Sequence, residues 1–263
     1  MMRSVTIFAL LCLALLAACS SPGGKDEKKN WTAEDYYKEA KEELDGGNYE
    51  RAIKLFEQVG ARYPFGRVAQ QSQLEIAYSY YKQSEVTESV AAADRFIKQY
   101  PTHENLDYAF YLKGLANFRD DKGFLGILNT TDLSERDPKA ARDAFDAFKE
   151  LVTRFPQSRY AEDSTKRMNY LVNSLALNEI HVARYYLKRG APLAAANRAQ
   201  QALLRYPQAP ALEEALGILI SAYDNLGMAD LRDDAKKVLQ KNFPQSAYLA
   251  GYTEANKAWW KFW

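Results

Sequence analysis

Cysteine is almost missing from this 263-residue chain: Cys12 and Cys19 are the only two, both near the N-terminus. Histidine is as scarce, with His103 and His181 far apart in the sequence. Without an HxxxH pair or clustered cysteines, the usual metal-ligand spacings are excluded and no metal is expected. His103, after Pro101-Thr102, reads as a turn-bonding residue, and His181 does not share a helical face with nearby Glu179. No Gly-rich loop opens a helix to cradle phosphate, and no serine stands in a GxSxG turn. Neither sign of charge is in excess, since 35 basic residues face 34 acidic ones, so nothing marks nucleic acid as a partner. The apolar stretch Val5–Ala18 is too short to span a bilayer as an ordinary helix, no other hydrophobic run reaches that length, and no two-residue alternation of a strand appears.

What the chain does have is repetition. An aromatic-proline pair recurs five times, as Tyr63-Pro64, Tyr100-Pro101, Phe155-Pro156, Tyr206-Pro207 and Phe243-Pro244. Five residues before each proline stand Val59, Phe96, Leu151, Ala202 and Leu239; nine before stand Leu55, Ala92, Ala147, Arg198 and Ala235. Steps of four keep side chains on one helical face, so these positions mark a buried stripe that proline then terminates. A second signature precedes each stripe, with a small residue between larger apolar ones. It reads Tyr37/Ala40/Leu44, Leu74/Ala77/Tyr81, Tyr111/Gly114/Phe118, Ile180/Ala183/Leu187 and Leu219/Ala222/Leu226. That large/small alternation resembles the tetratricopeptide pattern. The expected fold is all-α, an α-solenoid of five tetratricopeptide-like helical hairpins. Gly47, Gly190 and Gly227 fall where left-handed helix terminators are wanted, and Ser158 and Ser246 where helix caps are.

Two irregularities break the period. Residues 119–137 form an insertion inside the third hairpin, and long loops in compact domains are functional or disordered. Its Phe124, Leu125, Ile127 and Leu128 either contact a partner or fold back on the solenoid. Residues 157–189 contain neither Gly nor Pro, which predicts one unusually long helix joining N-terminal repeats (31–156) to C-terminal repeats (157–263).

Residues 1–18 are a cleaved signal, with Arg3 before the apolar stretch and Leu16-Ala17-Ala18-Cys19 at its end. The terminal Cys resembles that of bacterial lipoproteins, in which this residue becomes the acylated start of the mature chain. Cys19 is therefore the lipidation site, and its covalent lipid is the only non-protein group expected; no cofactor is. Removing Arg3 leaves 34 basic and 34 acidic residues in the mature chain. Residues 19–30 are a flexible tether. Ser20 after the Cys resembles the sorting signal of outer-membrane rather than inner-membrane lipoproteins.

Nothing in the repeats assembles an active site. Glu88-Ser89 resembles the pair of lytic transglycosylases, but no room remains for a lysozyme-like domain. Asn129-Thr130-Thr131 fits a glycosylation sequon, which the bacterial signal discounts. Arg198 stands out because it occupies a stripe position otherwise held by Leu or Ala. Either it snorkels at the edge of the stack, or it meets a partner's carboxylate, with Arg184, Lys188 and Arg189 enlarging a basic patch. On the second reading Arg198→Glu weakens a complex while melting stays nearly unchanged. Trp259, Trp260, Phe262 and Trp263 crowd the C-terminus beside Lys257 and Lys261, as an amphipathic cap or a membrane contact.

Taken together, the lipobox, the hairpins, Arg62-Tyr63-Pro64-Phe65-Gly66, Asp94-Arg95-Phe96-Ile97 before Tyr100-Pro101-Thr102-His103, Ser164-Thr165-Lys166-Arg167 and His181-Val182-Ala183-Arg184-Tyr185-Tyr186 resemble the BamD family, also called ComL. The resemblance implies a non-enzymatic scaffold lipoprotein of the outer-membrane β-barrel assembly machine, anchored by its lipid and facing the periplasm. It implies that C-terminal repeats bind the membrane-proximal POTRA domain of BamA, where Asn197-Arg198 matches the basic interface. N-terminal repeats are expected to receive unfolded outer-membrane protein precursors and the arm of another Bam lipoprotein, BamC. Tyr37, Leu74, Tyr78, Tyr81, Tyr108 and Tyr111 supply an aromatic groove suited to an extended chain ending in an aromatic residue. The alternative is a periplasmic repeat lipoprotein coordinating peptidoglycan metabolism.

Overall fold

The structure is a computed structural model that describes residues 30–118 and 138–252. Among the described residues there are ten α-helices, one short 3-10 turn and no strand. The fold class is all-α, a run of tetratricopeptide-like helical hairpins. The chain divides into two compact units, one ending at Ser72 and the other beginning at Gln73.

In the first unit, α1 (Ala33–Asp45) and α2 (Tyr49–Arg62) form a hairpin. Helix α1 starts with a reciprocal cap: the Asp35 amide donates to Thr32 Oγ1 and the Thr32 amide donates to Asp35 Oδ2. It ends where Gly47 turns left-handed at φ 81°, letting the amides of Gly47 and Asn48 reach the carbonyls of Leu44 and Glu43. Tyr36, Ala40 and Leu44 then pack in the core with Ala52, Leu55, Phe56 and Val59.

The boundary between units falls within α3 (Arg67–Lys82). The second unit continues with α4 (Val86–Gln99), α5 (Leu106–Asn117), α6 (Pro138–Arg154), α7 (Ala161–Lys188), α8 (Pro192–Arg205), α9 (Leu212–Asn225) and α10 (Ala229–Asn242). From α4 onward each helix packs on the next, and α9 also touches α7. The repeat pattern explains the packing directly. Every residue five before an aromatic-bound proline is fully buried at 0 % exposure: Val59, Phe96, Leu151, Ala202 and Leu239. Their carbonyls accept the last helical bond, donated by the amides of Tyr63, Tyr100, Phe155, Tyr206 and Phe243. Nine before proline, Leu55, Ala92, Ala147 and Ala235 are buried, and Arg198 alone is not.

Small residues of the first helices sit where neighbours press closest. A β-carbon added to Gly114 would lie 2.4 Å from the Phe148 ring, so α5 and α6 approach at that point only through glycine. Gly190 and Gly227 end α7 and α9 in the left-handed conformation, as Gly47 ends α1. Helix α3 uses the same motif with serine: Ser84 has φ 64°, and the amides of Ser84 and Glu85 bond the carbonyls of Tyr81 and Tyr80.

The long helix is present as α7, whose 28 residues span about 42 Å at the standard rise. Up to its middle it buries Leu171 and Leu175 against Ala141, Ala144 and Phe148 of α6. Its second half buries Ala176, Ile180 and Ala183 with alanines of α8 and residues of α9. Ser246 caps the 3-10 turn Ala247–Ala250, accepting from the Tyr248 amide. Ser158 does something different from capping α7 outright. It accepts from the Tyr160 amide and donates to Asp107, fixing the turn that leads into the helix. His103 bonds the turn in which it sits, Nδ1 accepting from the Asn105 amide at 3.0 Å. Cys19, residues 119–137 with Phe124, Leu125, Ile127 and Leu128, and the tryptophan-rich tail lie outside the described residues.

Candidate functional site

The second unit gathers tyrosines from three elements. Helix α3 contributes Tyr78 and Tyr81 one turn apart, with ring centres 6.4 Å from each other. Helix α5 contributes Tyr108 and Tyr111 at the same spacing. The turn before α7 contributes Tyr160, which stacks on Tyr111 at 4.6 Å and 18° and meets Tyr108 at 5.5 Å. All five are half-buried, one face packed and part of the ring open. Tyr108 lies at the centre. Burial pushes its phenol up most, and the Glu75 carboxylate and the hydroxyls of Tyr160, Tyr78 and Tyr81 push further.

Tyr111 is tied down by chemistry as well as packing. Its hydroxyl donates to Asp163 Oδ2 at 2.8 Å, and Arg167 Nε donates to the same oxygen at 2.6 Å. Burial first, and then this carboxylate, push the Tyr111 phenol up to about 12. Burial works against the Asp163 carboxylate, but bonds from Arg167 and Tyr111 outweigh it and hold the group below its ordinary value. The raised phenols of Tyr108 and Tyr111 remain protonated at neutral pH. They offer ring faces and hydrogen-bond donors, not nucleophiles.

Two of the groove residues read from the sequence fall elsewhere. Leu74 is 1 % exposed and packs in the core with Phe96, Leu106 and Leu151, so it lines no accessible surface. Its small-residue signature marks the helix interface, and the leucine at the head of that signature points the same way. Tyr37 lies in the first unit, half-buried with its ring 5.5 Å from Phe56. Tyr78, Tyr81, Tyr108 and Tyr111 are brought together.

The arginines are arranged differently from the expected patch. Arg198 Nη1 donates to Glu179 Oε2 at 3.0 Å, within this chain. Glu179 is 4 % exposed and the Arg198 side chain 47 %, so a buried carboxylate holds a half-solvated guanidinium. Arg205 reaches the other carboxylate oxygen at 4.0 Å. Arg184 belongs to no exposed patch: Nε and Nη2 both donate to Glu214 Oε1, at 2.9 and 2.6 Å, with both side chains largely buried. Tyr252 donates to the same oxygen, tying the segment after α10 to α7 and α9. Lys188 and Arg189 are exposed at the end of α7, Arg189 lying over the Tyr185 ring at 5.6 Å. Glu179 precedes Lys188 by about 13 Å along the axis, so the four cations form no single cluster.

Among the described residues no group of three or more His, Cys, Asp or Glu is placed to hold a metal ion. No helix among them is long and apolar enough to cross a membrane. Residues 29–239 match the family model YfiO, described as an outer membrane lipoprotein. The outer membrane protein assembly factor BamD of Neisseria meningitidis serogroup A is 46 % identical over the full length of both chains. The chain belongs to the BamD family. BamD of Xylella fastidiosa strain Temecula1 is 38 % identical, over 96 % of this chain and 85 % of its own. BamD of Vibrio cholerae is 37 % identical, over 92 % and 99 %.

For this BamD-family chain, three residues of these two places escaped the sequence reading. Tyr160 was detectable only through the fold, since it lies 49 positions beyond Tyr111, onto which it stacks. Arg205 follows Arg198 by seven residues, two turns along the same face. Glu179 carried a readable signal. It lies on the α7 stripe between Ala176, Ile180 and Ala183, the same kind of intrusion that singles out Arg198 on α8. Two opposite charges on facing stripes of one hairpin form a pair.

Proposed function

We propose that this chain is a non-enzymatic scaffold lipoprotein of outer-membrane protein assembly, anchored through acylated Cys19 and facing the periplasm. It binds the POTRA domain of BamA through its C-terminal repeats, and precursor or BamC segments through its N-terminal ones. It thereby promotes insertion of β-barrel proteins. The observation that carries the reading is the end-to-end match to BamD, the outer membrane protein assembly factor of Neisseria meningitidis.

The tyrosine cluster supports the precursor half of the proposal. An extended chain ending in an aromatic residue finds five half-open rings, on side chains with little rotational entropy to lose. Packed helices supply the rigid frame, and the Tyr111–Asp163–Arg167 bonds keep one edge of it from shifting. On the other side of the protein's work, Arg198 and Arg205 offer half-solvated guanidinium groups to a partner's carboxylates.

The test is a titration of a fluorescent peptide carrying a barrel precursor's C-terminal segment against the wild-type protein, Tyr78→Ala and Tyr81→Ala. Each substitution is expected to weaken binding about fivefold to thirtyfold, the range for losing one aromatic contact of ~1–2 kcal/mol. Unaltered affinity in both variants would remove the groove from the proposal.

A further inference from the structure

Glu179 has no place in a scaffold read only from its exposed residues. It is buried between α7 and α8, yet both cations that neutralise it reach outward, Arg198 being 47 % and Arg205 55 % exposed. Structural ion pairs that stabilise a seam bury both partners together, as Arg184 and Glu214 do here at 14 % and 12 %. At Glu179 the burden is divided unevenly: the anion is sequestered, while its cations keep donor groups in solvent. A guanidinium has five N–H donors, and the bond to Glu179 occupies Nη1 of Arg198.

The surroundings fit a protein partner. On α8, Leu193 and Leu204 are 59 % and 76 % exposed and stand three turns apart on one face, with Asn197 between them. Arg198 and Arg205, seven residues apart, lie together to one side of that face. The matching surface is apolar with carboxylates at its border.

We infer that Glu179 is a positioning residue: its buried carboxylate orients Arg198 as a preset fork for carboxylates of an acidic protein surface. The inference rests on the reading of Arg198 as a partner contact. A free arginine at this edge would have to be ordered on binding, and the internal carboxylate orders it beforehand. Glu179 also lets two guanidinium groups of like charge share a small region without mutual repulsion dispersing them.

The experiment measures binding of the full-length protein to the purified POTRA segment of BamA. The variants are Glu179→Gln, Glu179→Asp, Arg198→Ala and the double Glu179→Gln/Arg198→Ala. Arg198→Ala alone reports on the partner reading. Both Glu179 variants are expected to weaken binding roughly threefold to tenfold, the cost of ordering one long side chain at the interface. The double variant should bind no more weakly than Arg198→Ala. Thermal melting accompanies each measurement, and Glu179→Asp keeps the charge while withdrawing it by one methylene should the glutamine variant fold poorly. A partner-independent readout is the Arg198 Nε–H signal in NMR, expected to be ordered in the wild type and averaged in Glu179→Gln.

Wild-type or tighter binding in Glu179→Gln, with Arg198→Ala impaired, overturns the positioning role and leaves the partner reading standing. So does equal weakening by Glu179→Gln in both backgrounds, because the effect would not run through Arg198. Full affinity in Arg198→Ala overturns both.

Discussion

Arg198 shows how a single charge can be read in two ways until its neighbour is seen. On the sequence alone, reversing it to glutamate is expected to leave melting nearly unchanged. With the Glu179 carboxylate 3.0 Å away and buried, Arg198→Glu instead sets two anions against each other and strips the buried one of its hydrogen bond. A loss of roughly 1–3 kcal/mol is expected, the cost of a buried polar group left unmatched. Chemical denaturation will check it, and adding Glu179→Gln should restore most of the loss. Gly114→Ala places a methyl carbon against the Phe148 ring and should cost about 1–3 kcal/mol by overpacking. Ser84 holds a left-handed conformation that glycine adopts without strain, so Ser84→Gly is expected to raise stability by up to about 1 kcal/mol. Urea melts of these two variants should move in opposite directions.

At the scale of elements, the hairpins were legible because each local rule agreed with the packing. Proline stops the second helix of a repeat, the residue five earlier enters the core, and glycine or serine turns the chain out of the first helix. The site was less legible. Periodicity names residues facing the same way on one helix, which recovers Tyr78 with Tyr81 and Tyr108 with Tyr111. It cannot show that Tyr160 closes over them, nor that Leu74 turns inward while Tyr78 stays half-open. The Tyr111–Asp163 bond joins α5 to α7 and carries a pH signature. The folded phenol ionises near 12 instead of its ordinary 10, so its contribution to stability is complete below pH 10 and disappears between about 10 and 12. Tyr111→Phe is expected to lower stability at pH 9 by about 0.5–1.5 kcal/mol and to flatten the alkaline decline, as seen by denaturant melts at pH 9 and 11.5.

For the whole molecule, the proposed role puts function on surfaces and delivery on a lipid at Cys19, which lies outside the described residues. On the proposed acylation of Cys19, Cys19→Ser is expected to release the protein from the membrane fraction, because none of the described helices is long and apolar enough to cross a bilayer. Partner binding is the property on which the scaffold role stands. Its most direct measurement is affinity capture of the full-length protein extracted from membranes in mild detergent, with mass spectrometry of what accompanies it. A protein carrying both a β-barrel and POTRA domains is expected as the principal companion, lost on Arg198→Ala. Recovery of cell-wall synthases in its absence would contradict the assembly role.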